Sequence, residues 1–421
     1  MSGEPPAAGP PGAPDAEARR LLRAVLGATF FVRFAFGLTV AVFASYIVGS
    51  SAGIDATGVG LVGIVAATAP IGEFSTVLFS GAAADRYGRF PILVAAMATA
   101  ALLFALVSVT RDPLALGALN LLFGVCSGAI LAASLAVVAN EADIAATGYE
   151  MGRFDAMNLL GWIVGFAVGF GLLGTLDNAA LAWVFRGGAV LLFAGVLFAL
   201  REARGHLDPY VDPRVGLRGI VRALGNPSVL LVTLPWFVIY LLLGTGFVFL
   251  GQAANGIGIP TPELAAVIGG GGIVLLATQP MFGRLADRFG RMRLMTVGAT
   301  GFVGVLVCAG ALQSVGPRPE LLAALFVSVL AALAYGPAAL AALAELSHQL
   351  DRATTMAIYT LTISLGMFIG LAVSTSLYSA YGALGLDAFF AAVALALIGL
   401  TIARYLRVGR DETAAPVVAA P

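Results

Sequence analysis

Residues 81–89 read GAAADRYGR, and residues 283–291 read GRLADRFGR. Each copy follows a long apolar run and reads Gly, three further residues, an Asp-Arg pair, one more residue and Gly-Arg; in the first copy the three are alanines. Asp85 and Asp287 stand 202 residues apart in a chain of 421, close to half its length. A charged turn repeated at half-chain spacing points to a duplicated architecture.

The composition says which architecture. Hydrophobic residues make up 60% of the chain and charged residues 11%, against about 25% charged in a typical soluble domain. Apolar runs near 20 residues, long enough to cross a bilayer as helices, follow one another along the sequence. An all-α integral membrane protein is expected. Twelve spans can be read, at 24–49, 57–80, 90–110, 114–139, 152–174, 179–200, 227–250, 263–282, 293–312, 321–343, 354–379 and 387–405. Asp112-Pro113, Asn226-Pro227 and Thr261-Pro262 pair a capping side chain with proline at the first helical position. Proline loses no hydrogen bond there.

A formal charge of zero argues against nucleic acid as a partner. All 23 basic residues are Arg, which excludes Schiff-base lysine chemistry. Cys126 and Cys308 fall inside apolar runs in opposite halves and read as buried packing. His206 and His348 lie far apart and outside the runs, so no metal site or cofactor is expected. No nucleophile–base pair or phosphate loop points to an enzyme.

Five regions follow: a Pro-, Gly- and Ala-rich disordered tail at 1–18, a six-span bundle at 19–200, a linker at 201–226, a second bundle at 227–408 and a disordered tail at 409–421. The first apolar run is too long for the h-region of a signal peptide. With the N-terminus inside, inner segments and helix ends hold 19 arginines, while the outer loops hold Arg111 and Arg318. That bias places both termini in the cytoplasm, in a multi-pass protein of the cell membrane, with anionic headgroups as inner-face partners. The linker alternates Arg with Val, Leu and Ile, which fits either a basic helix on the inner membrane surface or a solvated connection.

The halves match beyond the turns. MGRFDAMNLLGWIVG at 151–165 aligns with MAIYTLTISLGMFIG at 356–370, so Gly161 and Gly165 coincide with Gly366 and Gly370. Internally repeated six-span halves are the plan of alternating-access carriers, whose substrate site lies at mid-membrane between the repeats. On these residues the chain resembles the major facilitator superfamily (MFS), whose signature loop between spans two and three is Gly-x-x-x-Asp-Arg-x-Gly-Arg. The resemblance covers 20–408 and implies twelve helices in two pseudo-symmetric six-helix bundles. It implies that the loop governs conformation and does not touch substrate.

The residues themselves explain how. Gly81 and the alanines after it allow close helix approach. Asp85 can face the amino end of a helix from the other half, where the backbone dipole favours an anion. Gly88 supplies a turn conformation costly for other residues. Arg86 and Arg89 can pair with Glu141 and Asp143 or with lipid phosphates. Gly283, Asp287, Arg288, Gly290 and Arg291 repeat the set.

A second resemblance is to drug/proton antiporter-type members, which often carry Gly-x8-Gly-x3-Gly-Pro-x2-Gly-Gly in span five. Gly152, Gly161, Gly165 and Gly169 match it, whereas Phe166 and Phe170 replace the Pro and the last Gly. The same glycines also read as a close-packing seam. Proton-coupled members often have an Arg in span four, where this chain has Gly124.

Ionisable groups at membrane depth are functional candidates by default. Arg33 lies about 15 Å inward of Arg23, and Glu73 about 12 Å inward of Gly81, at 1.5 Å per helical residue. The two are expected to pair facing a central cavity. Glu73 then either carries a proton or forms a fixed tie between spans one and two. Asn120, Asn158, Trp236 and Tyr240 are further cavity candidates, the aromatic pair reading also as packing. Asp155 is expected in the inner charge network and Arg186 at the outer edge. The prolines Pro70, Pro235, Pro280 and Pro337 and the GGGG run at 269–272 read as hinges or close contacts.

The expected function is a monomeric carrier moving a small apolar or amphipathic molecule outward in exchange for protons. Import of an organic acid by a symporter or uniporter is the alternative within transport. A membrane receptor or sensor on the same scaffold is the alternative outside it.

Overall fold

In hydrocarbon a backbone must satisfy its own polar groups, and a helix does this within one segment. In the computed structural model of this chain the described residues are 16–50, 59–141, 147–173, 176–177, 180–203, 217–256, 270, 272–273, 276–316, 318–347, 350 and 352–414. The first half contains α1 (Ala16–Ser50), α2 (Val59–Tyr87), α3 (Arg89–Val107), α4 (Pro113–Glu141), α5 (Thr147–Leu173) and α6 (Leu181–Glu202). A short helix, α7 (Leu217–Gly225), leads into the second half. There α8 (Pro227–Gly256), α9 (Gln279–Phe289), α10 (Arg291–Val315), α11 (Pro319–Ala332), α12 (Tyr335–Ser347), α13 (Arg352–Tyr381) and α14 (Ala383–Ala414) follow.

The helices make twelve spans in two six-helix halves. The eighth ends in α9, and most of its earlier part lies outside the described residues. The tenth is divided into α11 and α12 at Leu333 and Ala334, just before Gly336-Pro337.

Local chemistry sets several starts. The Asp112 carboxylate accepts the Ala115 amide at 2.7 Å, and Asn226 Oδ1 accepts the Ser228 amide at 2.9 Å. Each satisfies a donor that the first helical turn leaves free. Thr261 and Pro262 fall outside the described residues. Pro70 and Pro235 lie within α2 and α8, while Pro280 sits in the first turn of α9.

The halves repeat one packing plan: α5 lies on α1, and α13 on α8. Glycine makes both contacts possible. A Cβ at Gly161 or Gly165 would strike the Phe30 or Phe34 carbonyl, and one at Gly366 or Gly370 would strike the Phe237 or Leu241 carbonyl. The Gly161 seam abuts the Cβ of Arg33 where the Gly366 seam abuts that of Tyr240. One structural position thus holds a cation in the first half and an aromatic ring in the second. Gly169 rests on Ala41, and Gly152 on the Gln279 carbonyl of α9.

Burial orders the spans from centre to rim. The apolar window of α4 is 83% buried and that of the last span 17%. Exposed side chains on the rim are apolar, including Leu102, Trp183, Val190 and Leu395. Such an exterior suits lipid as solvent.

Candidate functional site

The two charged turns close one face of the molecule, here termed the arginine-rich face. Asp85 Oδ1 accepts the Ala353 amide and Oδ2 the Thr354 amide, both at 3.0 Å; the Thr354 hydroxyl adds a bond at 3.3 Å. These amides begin α13, in the opposite half. A carboxylate there meets unsatisfied N–H groups and the positive end of the helix dipole. The second copy repeats the arrangement in reverse, with Asp287 accepting the Gly148 and Tyr149 amides at the start of α5 at 3.0 and 3.2 Å.

Small residues permit this approach. A Cβ at Gly81 would stand 2.7 Å from the Ala353 carbonyl, and one at Gly283 would collide with the Gly148 backbone. Gly88 and Gly290 take φ of 100° and 92°, a conformation open to glycine. The inner stretch of α13, from Ala353 to Thr360, is fully buried, whereas Ala372, Val373, Ser376 and Tyr378 near its far end are exposed. The two halves therefore meet on the arginine-rich face.

The arginines of the turns divide. Arg89 pairs with Asp85 at 3.4 Å, and Arg291 pairs with both Asp287 and Glu345. Arg86 and Arg288 are exposed, each over its neighbouring ring, Tyr87 or Phe289. Glu141 accepts a bond from Asn140, and Asp143 lies outside the described residues. Arg284 adds a contact between halves, 4.4 Å from the Tyr149 ring centre.

Deeper in the membrane lies a network of buried polar side chains. Arg33 Nη2 donates to Glu73 Oε1 at 3.1 Å and Arg33 Nε to Asn158 Oδ1 at 2.8 Å. Both side chains of the ion pair are 1% exposed. Ser127 donates to the other Glu73 oxygen at 3.5 Å. The Asn158 amide donates to the Tyr359 hydroxyl at 3.2 Å, and that hydroxyl donates to Asp155 Oδ1 at 3.0 Å. Trp236 lies 4.5 Å from the Tyr359 ring, stacks on Tyr240 at 6.4 Å and meets Tyr335 edge-on at 5.9 Å.

Arg33, Glu73, Ser127, Asn158 and Asp155 come from the first half; Tyr359, Trp236, Tyr240 and Tyr335 come from the second. The network thus crosses the boundary between halves. Asp155 departs from its expected place at the inner face, because α5 turns it toward Tyr359 and Gly336. Asn120 departs too. It donates to the Val65 carbonyl and Thr68 hydroxyl of α2 at 3.2 and 3.1 Å. Val65 is eight residues before Glu73, so this tie sits about 12 Å farther from the arginine-rich face than the ion pair. Sequence reasoning passed over Tyr359 and Ser127. The signal for Tyr359 was available, since the internal repeat sets it against Phe154, placing a hydroxyl where the first half has none.

Comparison with known proteins bears on the family and the fold. The family model described as Major Facilitator Superfamily matches residues 25–256 and 248–420. No curated protein matches the sequence. Among solved structures, the human organic anion transporter MFSD10 (TETRAN) superposes with a TM-score of 0.74 at 16% identity, over 94% of this chain and 100% of that one. The proton:xylose symporter XylE, bound to 6-bromo-6-deoxy-D-glucose, gives 0.69 at 14% identity, over 91% and 95%. At such identities the likeness concerns the fold. The duplicated Asp-Arg-x-Gly-Arg turns, the two six-helix halves and the family match along nearly the whole chain lead to one conclusion: this membrane protein belongs to the Major Facilitator Superfamily of transporters.

Proposed function

We propose that this secondary transporter exports a small apolar or amphipathic molecule in exchange for protons. The observation that carries the reading is the network joining Arg33, Glu73, Asn158 and Asp155 to Tyr359 across the two halves. It holds two carboxylates against one guanidinium, and a single proton brings that sum to zero. A charge imbalance in a desolvated interior is costly, so proton uptake and release there favour different arrangements of the halves. Glu73 and Asp155 are the proton carriers in this reading. Arg33 holds Glu73, and Tyr359 passes the change between the halves.

The surroundings support this substrate class. Phe36 and Trp162 lie 5.2 Å apart, and Phe74 and Phe368 meet across the halves at 5.5 Å. Rings of this kind suit an apolar body better than a highly charged one. The arginine bias of the turns supports a cytoplasmic placement of that face and of both termini. A second reading rests on Arg33 as the network's guanidinium. Once Glu73 is protonated, Arg33 can receive the acid group of an organic anion, giving symport.

Proteoliposomes with an imposed pH gradient separate these readings, using lipophilic dyes and aromatic carboxylates as probes. Export predicts gradient-driven dye movement that E73Q abolishes while dye binding persists. Carboxylate uptake down the proton gradient would favour symport. Full gradient-driven transport in both E73Q and D155N would remove the proton role.

A further inference from the structure

The short helix α7, LRGIVRALG at 217–225, carries two arginines and no acid. Its Ile220 and Ala223 are buried, at 8% and 1% exposure, while Val221 is 71% exposed. Arg222 and Leu224 are exposed as well. α7 packs beside two helices of opposite halves, α2 and α13. Those are the helices that Asp85 joins through the Ala353 and Thr354 amides. Only Asn226 separates α7 from Pro227, the start of the next apolar span. The helix is therefore held at the boundary between lipid and water on the arginine-rich face.

We propose that α7 is a lipid-responsive strap: its outer face binds the anionic phospholipid surface, and this binding holds the arginine-rich face closed. Val221 and Leu224 enter the headgroup–acyl boundary while Arg222 meets phosphate, the pairing of apolar and basic groups that marks an interfacial helix. Charge complementarity selects anionic lipid as the occupant. Coupling follows from where the inner side of the strap rests. With α2 and α13 together, α7 has both helices against it; when the halves part, one is lost. A lipid surface that favours the seated helix therefore favours the closed arrangement, by the difference between its affinities for the two.

The full chain in nanodiscs tests this. With Cys126 and Cys308 replaced by Ser, a Thr355→Cys reporter, buried in the closed arrangement, measures opening by its labelling rate. Replacing phosphatidylcholine with phosphatidylglycerol should slow labelling. Arg222→Gln should remove about fivefold of that slowing, the population equivalent of about 1 kcal/mol per basic side chain at an anionic surface. Arg222→Lys should keep the slowing, and Val221→Ser should weaken it. Soluble glycerol phosphate should leave the rate unchanged. Equal labelling in the two lipids would overturn the strap, as would an undiminished lipid effect in both Arg222→Gln and Val221→Ser.

Discussion

Replacing Asp85 with Asn should open the arginine-rich face. The carboxylate receives the Ala353 and Thr354 amides at 3.0 Å and the Thr354 hydroxyl at 3.3 Å. An Asn side chain keeps one acceptor oxygen and turns an NH₂ toward a backbone donor. It also removes the anion from the positive end of the α13 dipole. The Asp85 side chain is 6% exposed, so solvent screens little of this loss. One charge-assisted hydrogen bond and the dipole term together give about 2 kcal/mol. That converts to roughly 30-fold in the ratio of open to closed molecules. Labelling of Thr355→Cys in the Cys126→Ser, Cys308→Ser background reads the ratio, provided opening equilibrates faster than modification. The rate should rise by up to that factor at equal folded fraction. An unchanged rate would refute the reasoning that this carboxylate clasps the halves.

Three further outcomes follow from the geometry. Asp287→Asn should have the smaller effect in the same assay, because its side chain is 15% exposed against 6% for Asp85. Burial raises the Asp287 carboxyl above its ordinary value, and the Gly148 and Tyr149 amides and Arg291 pull it back. Gly165→Val should lower the thermal midpoint of the purified protein, since its Cβ meets the Phe34 carbonyl, whereas Gly187→Val, with open space around it, should not. Tyr359→Phe should leave Asn158 and Asp155 each short of a partner, at a cost of about 2 kcal/mol, and should speed Thr355→Cys labelling.

What the sequence made legible was whatever depends on order and depth. Span count and the paired turns follow from apolar length and from the repeat at Asp85 and Asp287. Helical rise brought Arg33 and Glu73 to one level, and the structure joins them at 3.1 Å. Rise alone does not give the direction in which a helix points a side chain. Its place near the start of span five therefore suggests the inner network for Asp155, although it lies about 12 Å along α5 from Thr147 and faces Tyr359. A polar group inside span four likewise suggests the cavity for Asn120, whose amide donates to α2. The buried Arg404, donating to Tyr335 and Thr296 at 3.4 Å, depends on how the last span packs against the ninth and tenth, which no repeat in the sequence encodes.

The central claim is that two matching halves rock about the Arg33–Glu73–Tyr359 level, held on the arginine-rich face by reciprocal helix caps. Pulsed electron-spin distances between α2 and α13, taken at both membrane faces in wild type and in Asp85→Asn, test it most directly. Rocking halves predict that the variant lengthens the distance near Asp85 while shortening the one near the opposite ends. Distances that stay fixed at both faces, or lengthen together at both, would contradict it.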